Sequence, residues 1–415
     1  MNTSLKNIVS SLSLALDLTD SINARFENII DDKLNINDSK QKFTNHSLCT
    51  TYIALEIGLA MNIGEDRLFD LYIASMIHDI GAQNILDCSH TSAWYIKKHC
   101  IDGADMIQKI PCLIQVHDII KYHHENYDGT GTLKVKNSLV PIEAQILRLS
   151  DLIAIQIDFN SHPLIQNNKI INWVKHLSGK VFSPDITDVF LKVSRKESFW
   201  LNIYNIPMNN SIISPLIPNK DVFISLEEFE PIADVFASII DNKSSFTAEH
   251  SKEIARLAYA VSKYLNYNEG KCLKMKIAGL LHDLGKLAVP TAILDKPGPL
   301  SDDEYSVIKS HTYYTRLILS KINDIDDICK WASSHHEKLN GTGYPEKLDS
   351  SYLTDECEII CVCDIYQSLT ADRPYRKGMY MYEAFDILDD MVNKNYISEK
   401  AVNALKSTLI SHNEK

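Results

Sequence analysis

The segment Ile277-Ala-Gly-Leu-Leu-His-Asp-Leu-Gly-Lys286 joins an apolar run to a histidine, an aspartate and a lysine. Its first five residues predict a buried helix, and the polar residues follow where that helix ends. If the helix continued, His282 and Lys286 would share one face, because residues four apart in a helix are neighbours. The segment therefore predicts a helix leading into a site with an imidazole, a carboxylate and an amine.

The His-Asp pair belongs to a series of residues that occurs twice in the chain. The series is a histidine, a His-Asp pair 32 residues later, a further histidine, a His-His pair 24 residues after that, and an aspartate. Its members are His46, His78, Asp79, His99, His123, His124 and Asp151 in the first half, and His250, His282, Asp283, His311, His335, His336 and Asp364 in the second. The His-His pairs open two related stretches, His123-His-Glu-Asn-Tyr-Asp-Gly-Thr-Gly131 and His335-His-Glu-Lys-Leu-Asn-Gly-Thr-Gly343.

The number of histidines in this repeat argues against a coincidence. Ten of the 15 histidines belong to it, and independently buried histidines would not keep one spacing twice. The remaining five are predicted to be structural or surface residues, since a single histidine is a weak motif: His90, His117, His162, His176 and His412.

Apolar residues recur at spacings of three and four along most of the chain, as in amphipathic helices. One such stripe follows Ser251 and consists of Ile254, Ala255, Leu257, Ala258, Val261 and Leu265. The stretch 209–221 combines turn formers with prolines that cannot continue a helix. Ser225 and Glu228 then have the spacing of a capping box. The sequence therefore predicts an all-α protein of two tandem helical bundles, 1–214 and 215–415.

Composition excludes several classes of protein. The formal net charge of −12, with basic residues dispersed, argues against a protein that binds DNA or RNA polymers. No apolar run approaches the length of a membrane span, and the first residues lack a signal-peptide core, which together predict a cytoplasmic protein without a membrane partner. The nine cysteines include no CxxC pair, so we expect buried, reduced thiols.

Each half supplies five imidazoles and two carboxylates, a set of nitrogen and oxygen ligands without thiolate. Such a set suits divalent iron, manganese, nickel or zinc. Seven ligands exceed the needs of one tetrahedral ion, whereas two ions sharing the carboxylate of the His-Asp pair would use them. Two metals beside Lys286 would suit a phosphate, because the ions can activate water and clamp phosphoryl oxygens while the ammonium offsets negative charge. The predicted reaction is hydrolysis of a phosphodiester or phosphomonoester.

The second half resembles the HD-GYP subgroup of the HD-domain metal phosphohydrolases. The resemblance covers about residues 225 to 410 and includes His282-Asp-Leu-Gly-Lys-Leu-Ala-Val-Pro290, His311, the stretch from His335 to Pro345, and Asp364-Ile-Tyr-Gln-Ser-Leu-Thr-Ala-Asp-Arg-Pro-Tyr-Arg376. It implies an all-helical domain with a di-iron or di-manganese centre, nickel, zinc and magnesium being further candidates. It also implies hydrolysis of cyclic dinucleotide second messengers, cyclic di-GMP above all.

The resemblance implies a role for each matching residue. The implied metal ligands are His250, His282, Asp283, His311, His335, His336 and Asp364, with Asp283 bridging and acting in catalysis together with Lys286. Lys286, Gly343, Tyr344, Pro345, Arg373 and Arg376 match the residues that would contact substrate. Tyr344 and Tyr375 would stack on a base or simply pack.

Some positions depart from the family pattern. Asn340, Thr312, Thr315 and Gln367 replace residues usual in the family, and none is at an implied ligand position. Phe246 stands where members with three metals have a glutamate, so we expect two metals.

The first half resembles the same HD fold more distantly. All seven ligand positions match, but Ala82 stands in place of Lys286, and Gly131-Thr132-Leu133 replaces the Gly-Tyr-Pro tripeptide. The loop between the His-Asp pair and the next histidine is also shorter, with 21 residues from His78 to His99. We therefore expect this half to bind metal and to regulate, form a dimer or complete the substrate site, rather than to catalyse independently.

Three functions remain open from the sequence. The first is a phosphodiesterase for cyclic di-GMP or 3′,3′-cyclic GMP-AMP, since the two-domain layout also resembles enzymes for the latter substrate. The second is a non-catalytic HD-domain scaffold for signalling partners. The third is an HD nucleotidase acting on nucleoside phosphates. Candidate protein partners are a second copy of the chain and signalling proteins of the diguanylate cyclase type.

Overall fold

A computed structural model describes residues 3–31, 45–82, 93–243, 249–372 and 377–413, without the side chains of 20–31, 210 and 412–413. The described chain is almost entirely helical, which confirms the predicted all-α class. Its one sheet pairs two short antiparallel strands, Thr3–Ser4 (β1) with Phe223–Ile224 (β2). The chain divides into two compact units: Leu12–Val222, and Phe223–Lys415 together with Met1–Ser11.

The unit Leu12–Val222 packs its helices around α2. After α1 (Leu5–Asp31), the helices are α2 (His46–Ala60), α3 (Glu65–Ile77), α4 (Ala93–Gln108), α5 (His117–Tyr122), α6 (Ile142–Gln156), α7 (Pro163–Leu177), α8 (Pro184–Val193) and α9 (Glu197–Asn205). Helix α2 contacts α3, α6 and α8 and is buried on most of its circumference. Helices hydrophobic on all sides belong in a core, so His46, at the start of α2, is held inside the bundle.

The unit Phe223–Lys415 with Met1–Ser11 repeats this arrangement. Its helices are α10 (Leu226–Lys243), α11 (His250–Tyr264), α12 (Glu269–Leu281), α13 (Thr291–Leu294), α14 (Asp302–Leu319), α15 (Asp326–Ser333), α16 (Asp355–Thr370), α17 (Met381–Asn393) and α18 (Glu399–Asn413). Helix α11 packs against α10, α12, α16 and α18. The chain start belongs to this unit, where Thr3 pairs with Ile224 and the Ser11 hydroxyl donates to the Ile318 carbonyl.

Several local predictions can be checked directly. The capping box at α10 is confirmed: Glu228 N donates to Ser225 Oγ over 3.2 Å, and Ser225 N donates to the Glu228 carboxylate over 2.9 Å. The stripe of α11 from Ile254 to Val261 is buried. The eight described cysteines are free thiols, seven of them buried. In the described part of the chain, no helix is both long and apolar enough to cross a membrane.

The segment 282–286 does not form the α-helix under which His282 and Lys286 would share a face. Helix α12 ends at Leu281, and a 3-10 helix covers Leu284–Ala288. Lys286 N donates to Asp283 O over 2.8 Å, the three-residue spacing of a 3-10 turn. The change of helix type places Lys286 beside Asp283 instead of on the face of His282.

Candidate metal centres

The carboxylate of Asp283 lies at the centre of the cluster in the second half. Each of its oxygens faces a different pair of histidines. Oδ2 lies 3.1 Å from His282 Nε2 and 3.5 Å from His250 Nε2. Oδ1 lies 3.4 Å from His311 Nε2 and 3.9 Å from His335 Nε2. Asp364 Oδ1 lies 3.4 Å from His250 Nε2. This is the geometry that a carboxylate shared between two ions requires.

The implied ligand side chains converge from the ends and faces of different helices. His250 is the first residue of α11, His311 lies within α14 and Asp364 within α16. The pairs His282-Asp283 and His335-His336 follow the last turns of α12 and α15. Two groups of three side chains bring their ligand atoms within 4.8 Å of one another: His250, His282 and Asp283, and His311, His335 and His336.

Backbone carbonyls fix the orientation of three of these rings. His282 Nδ1 donates to Gly279 O over 2.8 Å, His311 Nδ1 to Ile308 O over 2.6 Å, and His335 Nδ1 to Ala332 O over 2.7 Å. Because the proton then sits on Nδ1, the Nε2 lone pair is directed at the cluster, as in metal-binding histidines. The buried His282 Nε2 has no hydrogen-bond partner among the described residues, so this set of ligand atoms fits a divalent metal.

Burial and charge oppose each other in this cluster. Burial lowers the pKa of His311 to about 3 and also lowers the pKa values of His335 and His336, which keeps these rings neutral. Burial opposes ionisation of Asp283, yet the charges of His282 and Lys286 hold the pKa of its carboxyl well below the usual range. Neutral rings at these three positions and an ionised carboxylate are the protonation states in which such groups bind metals. His250 differs, because burial, which lowers its pKa, is outweighed by hydrogen bonds to Asp283 and Asp364 that raise the pKa to about 9.

Two residues outside the ligand set contact it directly. Lys286 Nζ lies 2.5 Å from Asp283 Oδ2, and the lysine side chain is 21% exposed, so it reaches both the cluster and solvent. Gln367 Oε1 accepts from His250 Nδ1 over 2.5 Å and orients that ring as the carbonyls orient the others. In the sequence Gln367 is only a departure from the family pattern. In the structure its side chain contacts His250.

The first half builds a second cluster of the same design. Asp79 Oδ2 lies 3.1 Å from His78 Nε2 and 3.8 Å from His46 Nε2, and Asp79 Oδ1 lies 3.3 Å from His99 Nε2. Asp151 Oδ1 lies 3.1 Å from His46 Nε2. The rings of His78 and His123 donate from Nδ1 to Ser75 O and Ile120 O, as their counterparts do. His78 Nε2 and Asp79 Oδ1 are buried without hydrogen-bond partners in the described chain, so this cluster also fits a metal.

The HD domain family model matches this chain over residues 28–153 and 234–399, which together make up more than half of its length. The chain belongs to the HD domain family. The family assignment made from the sequence motifs is therefore confirmed. The two matched segments contain the two His/Asp clusters, so the internal repeat is a repeat of the HD fold.

Relatives resemble the chain along most of its length. It is 28% identical to the 3′3′-cGAMP-specific phosphodiesterase 1 of Vibrio cholerae serotype O1, over 83% of this chain and 82% of that protein. The 3′3′-cGAMP-specific phosphodiesterase 3 of the same organism is also 28% identical, over 76% of this chain and 67% of that protein. A cyclic di-GMP phosphodiesterase of Pseudomonas aeruginosa is 35% identical over 35% of this chain and 36% of its own.

A solved structure shares the fold over the whole chain. The crystal structure of the cyclic GMP-AMP specific phosphodiesterase V-cGAP3 of Vibrio cholerae matches with a TM-score of 0.67 and 22% identity, over 99% of this chain and 98% of that one. At this level of identity the match supports the tandem HD fold.

The glycine of each HD motif is required by a close backbone approach. A Cβ on Gly285 would lie 1.9 Å from His311 O, and one on Gly81 would lie 2.2 Å from His99 O. Because only glycine lacks a Cβ, it lets the HD turn touch the next ligand helix. The contact fixes Asp283 against His311 and explains why the motif reads His-Asp-x-Gly in both halves.

A glutamate clamps the loop after each His-His pair. In the first HD domain, Glu125 accepts from the amides of Leu133 and Val135, each over 2.7 Å. In the second, Glu337 accepts from Glu346 and Leu348 over 2.7 and 3.0 Å, one residue later in the aligned loop. The offset has a simple cause: Pro345 aligns with Leu133 and has no amide hydrogen to donate.

An aspartate on the preceding helix binds the serine that follows the first candidate ligand histidine of each HD domain. Asp241 accepts from both the amide and the hydroxyl of Ser251, and Asp17 does the same for Ser47, directly after His250 and His46. These contacts satisfy amides at the start of α11 and α2, as a capping side chain does. The sequence comparison missed both, because Asp17 precedes its serine by 30 residues and Asp241 by 10.

The structure brings together all seven implied ligands in each HD domain, with Lys286 beside the second cluster. Gly343 lies against Glu337, where a Cβ would meet the Glu337 Cα at 2.4 Å, and the ring of Tyr344 packs on His336 with centroids 4.9 Å apart. One of the two faces of Tyr344 is therefore covered by packing. Arg373, Tyr375 and Arg376 lie outside the described residues, as does Phe246.

Proposed function

We propose that this protein is a metal-dependent phosphodiesterase that hydrolyses cyclic dinucleotides at the HD cluster of the second half. The observation that carries the proposal is the placement of Lys286 Nζ on the carboxylate shared by that cluster, 2.5 Å from Asp283 Oδ2. A phosphate close to the cluster would thus meet an ammonium group at a position where the other half has Ala82. The similarity to a 3′3′-cGAMP-specific phosphodiesterase over 83% of the chain supports 3′3′-cGAMP as the first substrate to test, with cyclic di-GMP as the second.

The metal centre we propose uses two divalent ions. One would be held by His250, His282, Asp283 and Asp364, and the other by Asp283, His311, His335 and His336, which follows the division of distances around Asp283. A set of imidazole and carboxylate ligands favours iron or manganese, with nickel and zinc also compatible and magnesium less so. When bound, such ions supply Lewis acidity, which lowers the pKa of water and neutralises phosphoryl oxygens.

Residues of the chain would prepare the substrate for attack. Lys286 can turn from Asp283 to a phosphate oxygen and offset the negative charge that develops in the transition state. The water oxygen then joins phosphorus, the bond from phosphorus to the ribose oxygen breaks, and that oxygen takes a proton. Burial raises the pKa of the Tyr344 phenol, which therefore stays protonated beside His336. Gly343, Tyr344, Pro345, Arg373 and Arg376 remain predicted substrate contacts.

The first half has a different role in this proposal. Ala82 occupies the position of Lys286, so its cluster offers no amine from that side. We assign it a regulatory, dimer-forming or substrate-completing function. A second copy of the chain and cyclase-type signalling proteins remain predicted partners.

A substrate panel tests the proposal. The wild-type chain loaded with iron or manganese is incubated with 3′3′-cGAMP, cyclic di-GMP, dGTP and guanosine tetraphosphate, and products are separated by chromatography. We expect linear dinucleotides from at least one cyclic substrate and none from Asp283→Ala. Asp79→Ala is the matched control in the other cluster. Activity on nucleoside phosphates alone would indicate a nucleotidase, and a metal-loaded chain without any activity would indicate a scaffold.

A further inference from the structure

Arg148 enters the cluster of the first half from helix α6. Its Nη1 lies 2.8 Å from His124 Nδ1, and its Nη2 donates to Asn126 Oδ1 over 3.3 Å. Asn126 is in turn held by Thr130, whose hydroxyl accepts from the Asn126 amide nitrogen over 3.1 Å. Two hydrogen bonds therefore hold the guanidinium against one of the implied metal ligands.

The contact with Arg148 determines which ring nitrogen of His124 carries the proton. An arginine side chain is always charged and can only donate hydrogen bonds. His124 Nδ1 must therefore accept, and its single lone pair on that nitrogen is used. A neutral imidazole that accepts at Nδ1 carries its proton at Nε2, so His124 has no lone pair left for a metal ion.

Among the described residues of the second half, no arginine contacts the corresponding histidine, His336. Arg148 stands three residues before Asp151, and Cys361 stands three residues before Asp364. Asn126 corresponds in the same repeat to Lys338, whose Nζ lies over the ring of Tyr396. The cation of that cluster, Lys286, donates to a carboxylate oxygen, which retains further lone pairs. A lysine beside Asp283 is therefore compatible with two ions, whereas an arginine on His124 removes a ligand.

The remaining ligand atoms divide unevenly. One position keeps four side chains, His46, His78, Asp79 and Asp151, whose facing atoms lie between 3.1 and 3.9 Å apart. Four ligands complete the shell of a tetrahedral ion. Without His124, the other position keeps three of its implied ligands: His99 and His123, whose Nε2 atoms lie 3.1 Å apart, and Oδ1 of Asp79.

We propose that Arg148 takes the place of a second metal ion in the first half, so that this cluster holds a single divalent cation. The ion sits between His46, His78, Asp79 and Asp151, and the guanidinium supplies positive charge at the His124 side. The proposal concerns metal binding and does not depend on the activity of the other cluster.

Metal content of the full-length chain tests this proposal. A triple variant, His282→Ala with Asp283→Ala and His335→Ala, removes ligands from both positions of the second half, so that bound metal reports on the first half. The protein is loaded with Mn²⁺, freed of unbound ion and measured by mass spectrometry. We expect one ion per chain in this background, two after adding Arg148→Cys, and none after adding His46→Ala.

A further substitution covers the case in which Arg148→Cys does not fold, which circular dichroism would reveal. His124→Ala should keep the one ion, because His124 is not a ligand while Arg148 is bound to it. Two ions or none in the background protein would overturn the proposal. So would a folded Arg148→Cys chain that still binds one, or a His124→Ala chain that loses its ion as His46→Ala does.

Discussion

Thr315 ties the HD turn of the second half to the helix that carries the next ligand. Its hydroxyl donates to His282 O over 3.0 Å and accepts from Gly285 N over 2.9 Å. The bonds hold both ends of the turn around Asp283. Thr315 departs from the family pattern, and its hydroxyl gives the turn two side-chain hydrogen bonds.

Thr315→Val should destabilise the protein by about 2 kcal/mol, because the buried Gly285 amide loses its acceptor while side-chain volume is preserved. Denaturant unfolding of the metal-free chain measures the change. Thr312→Val is the matched control: the Thr312 hydroxyl donates only to a carbonyl of its own helix, Lys309 O, and its removal should cost well under half as much. Equal losses in the two variants would contradict this role for Thr315.

Lys286→Ala should lower kcat on the cyclic dinucleotide by about 100-fold, since one preorganised cation is lost from the transition state. Metal content should stay near that of the wild type, because Lys286 is not a ligand. Lys263, which pairs with Glu269 on the surface, supplies the control Lys263→Ala with wild-type kcat. An unchanged kcat for Lys286→Ala would remove the main support for the proposed function.

Gln367→Leu should weaken metal binding about 10- to 100-fold, the usual effect of losing the partner that orients a metal-binding histidine. The variant leaves His250 Nδ1 without its acceptor, whereas Gln367→Glu preserves an acceptor oxygen and should bind at least as tightly as the wild type. Competition with a chelator measures both. A leucine variant as tight as the glutamate variant would show that this contact does not orient the ring.

Asp241→Ala should destabilise the second HD domain by about 1 to 2 kcal/mol, as the loss of a helix cap does, and lower its metal affinity. The free energy of unfolding and the metal content of the same preparation measure the two effects. Asp17→Ala should act likewise on the first HD domain, since Asp17 makes the corresponding bonds to Ser47. If Asp241→Ala left His250 binding intact, the aspartate would stabilise the fold without positioning the ligand.

Glu358 predicts a pH dependence of stability away from the clusters. Burial raises its pKa from 4.5 to about 7, while its carboxylate accepts from Ser398 N. The folded chain thus binds this proton more tightly than the unfolded chain, and stability falls as pH rises from about 4.5 to 7. Glu358→Gln should therefore stabilise the protein at pH 8 by an amount on the order of 2 kcal/mol, with little effect near pH 4.5.

Glu356 is the matched control of opposite sign for this measurement. Although burial opposes its ionisation, its hydrogen bond from Lys271 lowers the pKa of Glu356, so its contribution to stability is present above the unfolded pKa of 4.5 and lost as pH falls. Glu356→Gln should destabilise the protein at pH 8 and less so in acid. Thermal unfolding of both variants across this range would contradict the assignment if the two shifts had the same sign.

The helical class, the repeat and the residues of the two His/Asp clusters could be predicted from the sequence, because periodic apolar residues and repeated spacings are visible without coordinates. The 3-10 turn that follows α12 could not. It depends on the approach of Gly285 to His311 O, a contact between residues 26 positions apart. The pairing of Thr3 with Ile224 is equally non-local, and it places the chain start in the second unit.

The residues that contact and orient the candidate ligands are harder to identify from the sequence than the candidate ligands themselves. Arg148 could have been noticed as a charged residue in an apolar helix, three positions before Asp151, but its partner His124 lies in a separate loop. Gln367 and Thr315 differ from the family pattern, and their value emerges only from the atoms they contact. A repeated spacing along the sequence identifies candidate ligands of an ion. The residues that contact and orient those ligands are determined by the packing of the helices, which the spacing does not show.

The glutamate clamp also bears on whether the two HD loops are interchangeable. Replacing Thr132 and Leu133 by the Tyr-Pro of the second half would remove the amide that Leu133 donates to Glu125. The grafted loop would have to slip by one residue before its glutamate found new donors. Converting one kind of HD loop into the other therefore requires a coordinated change of several neighbours, because a proline at position 133 alone would leave Glu125 with one amide donor fewer.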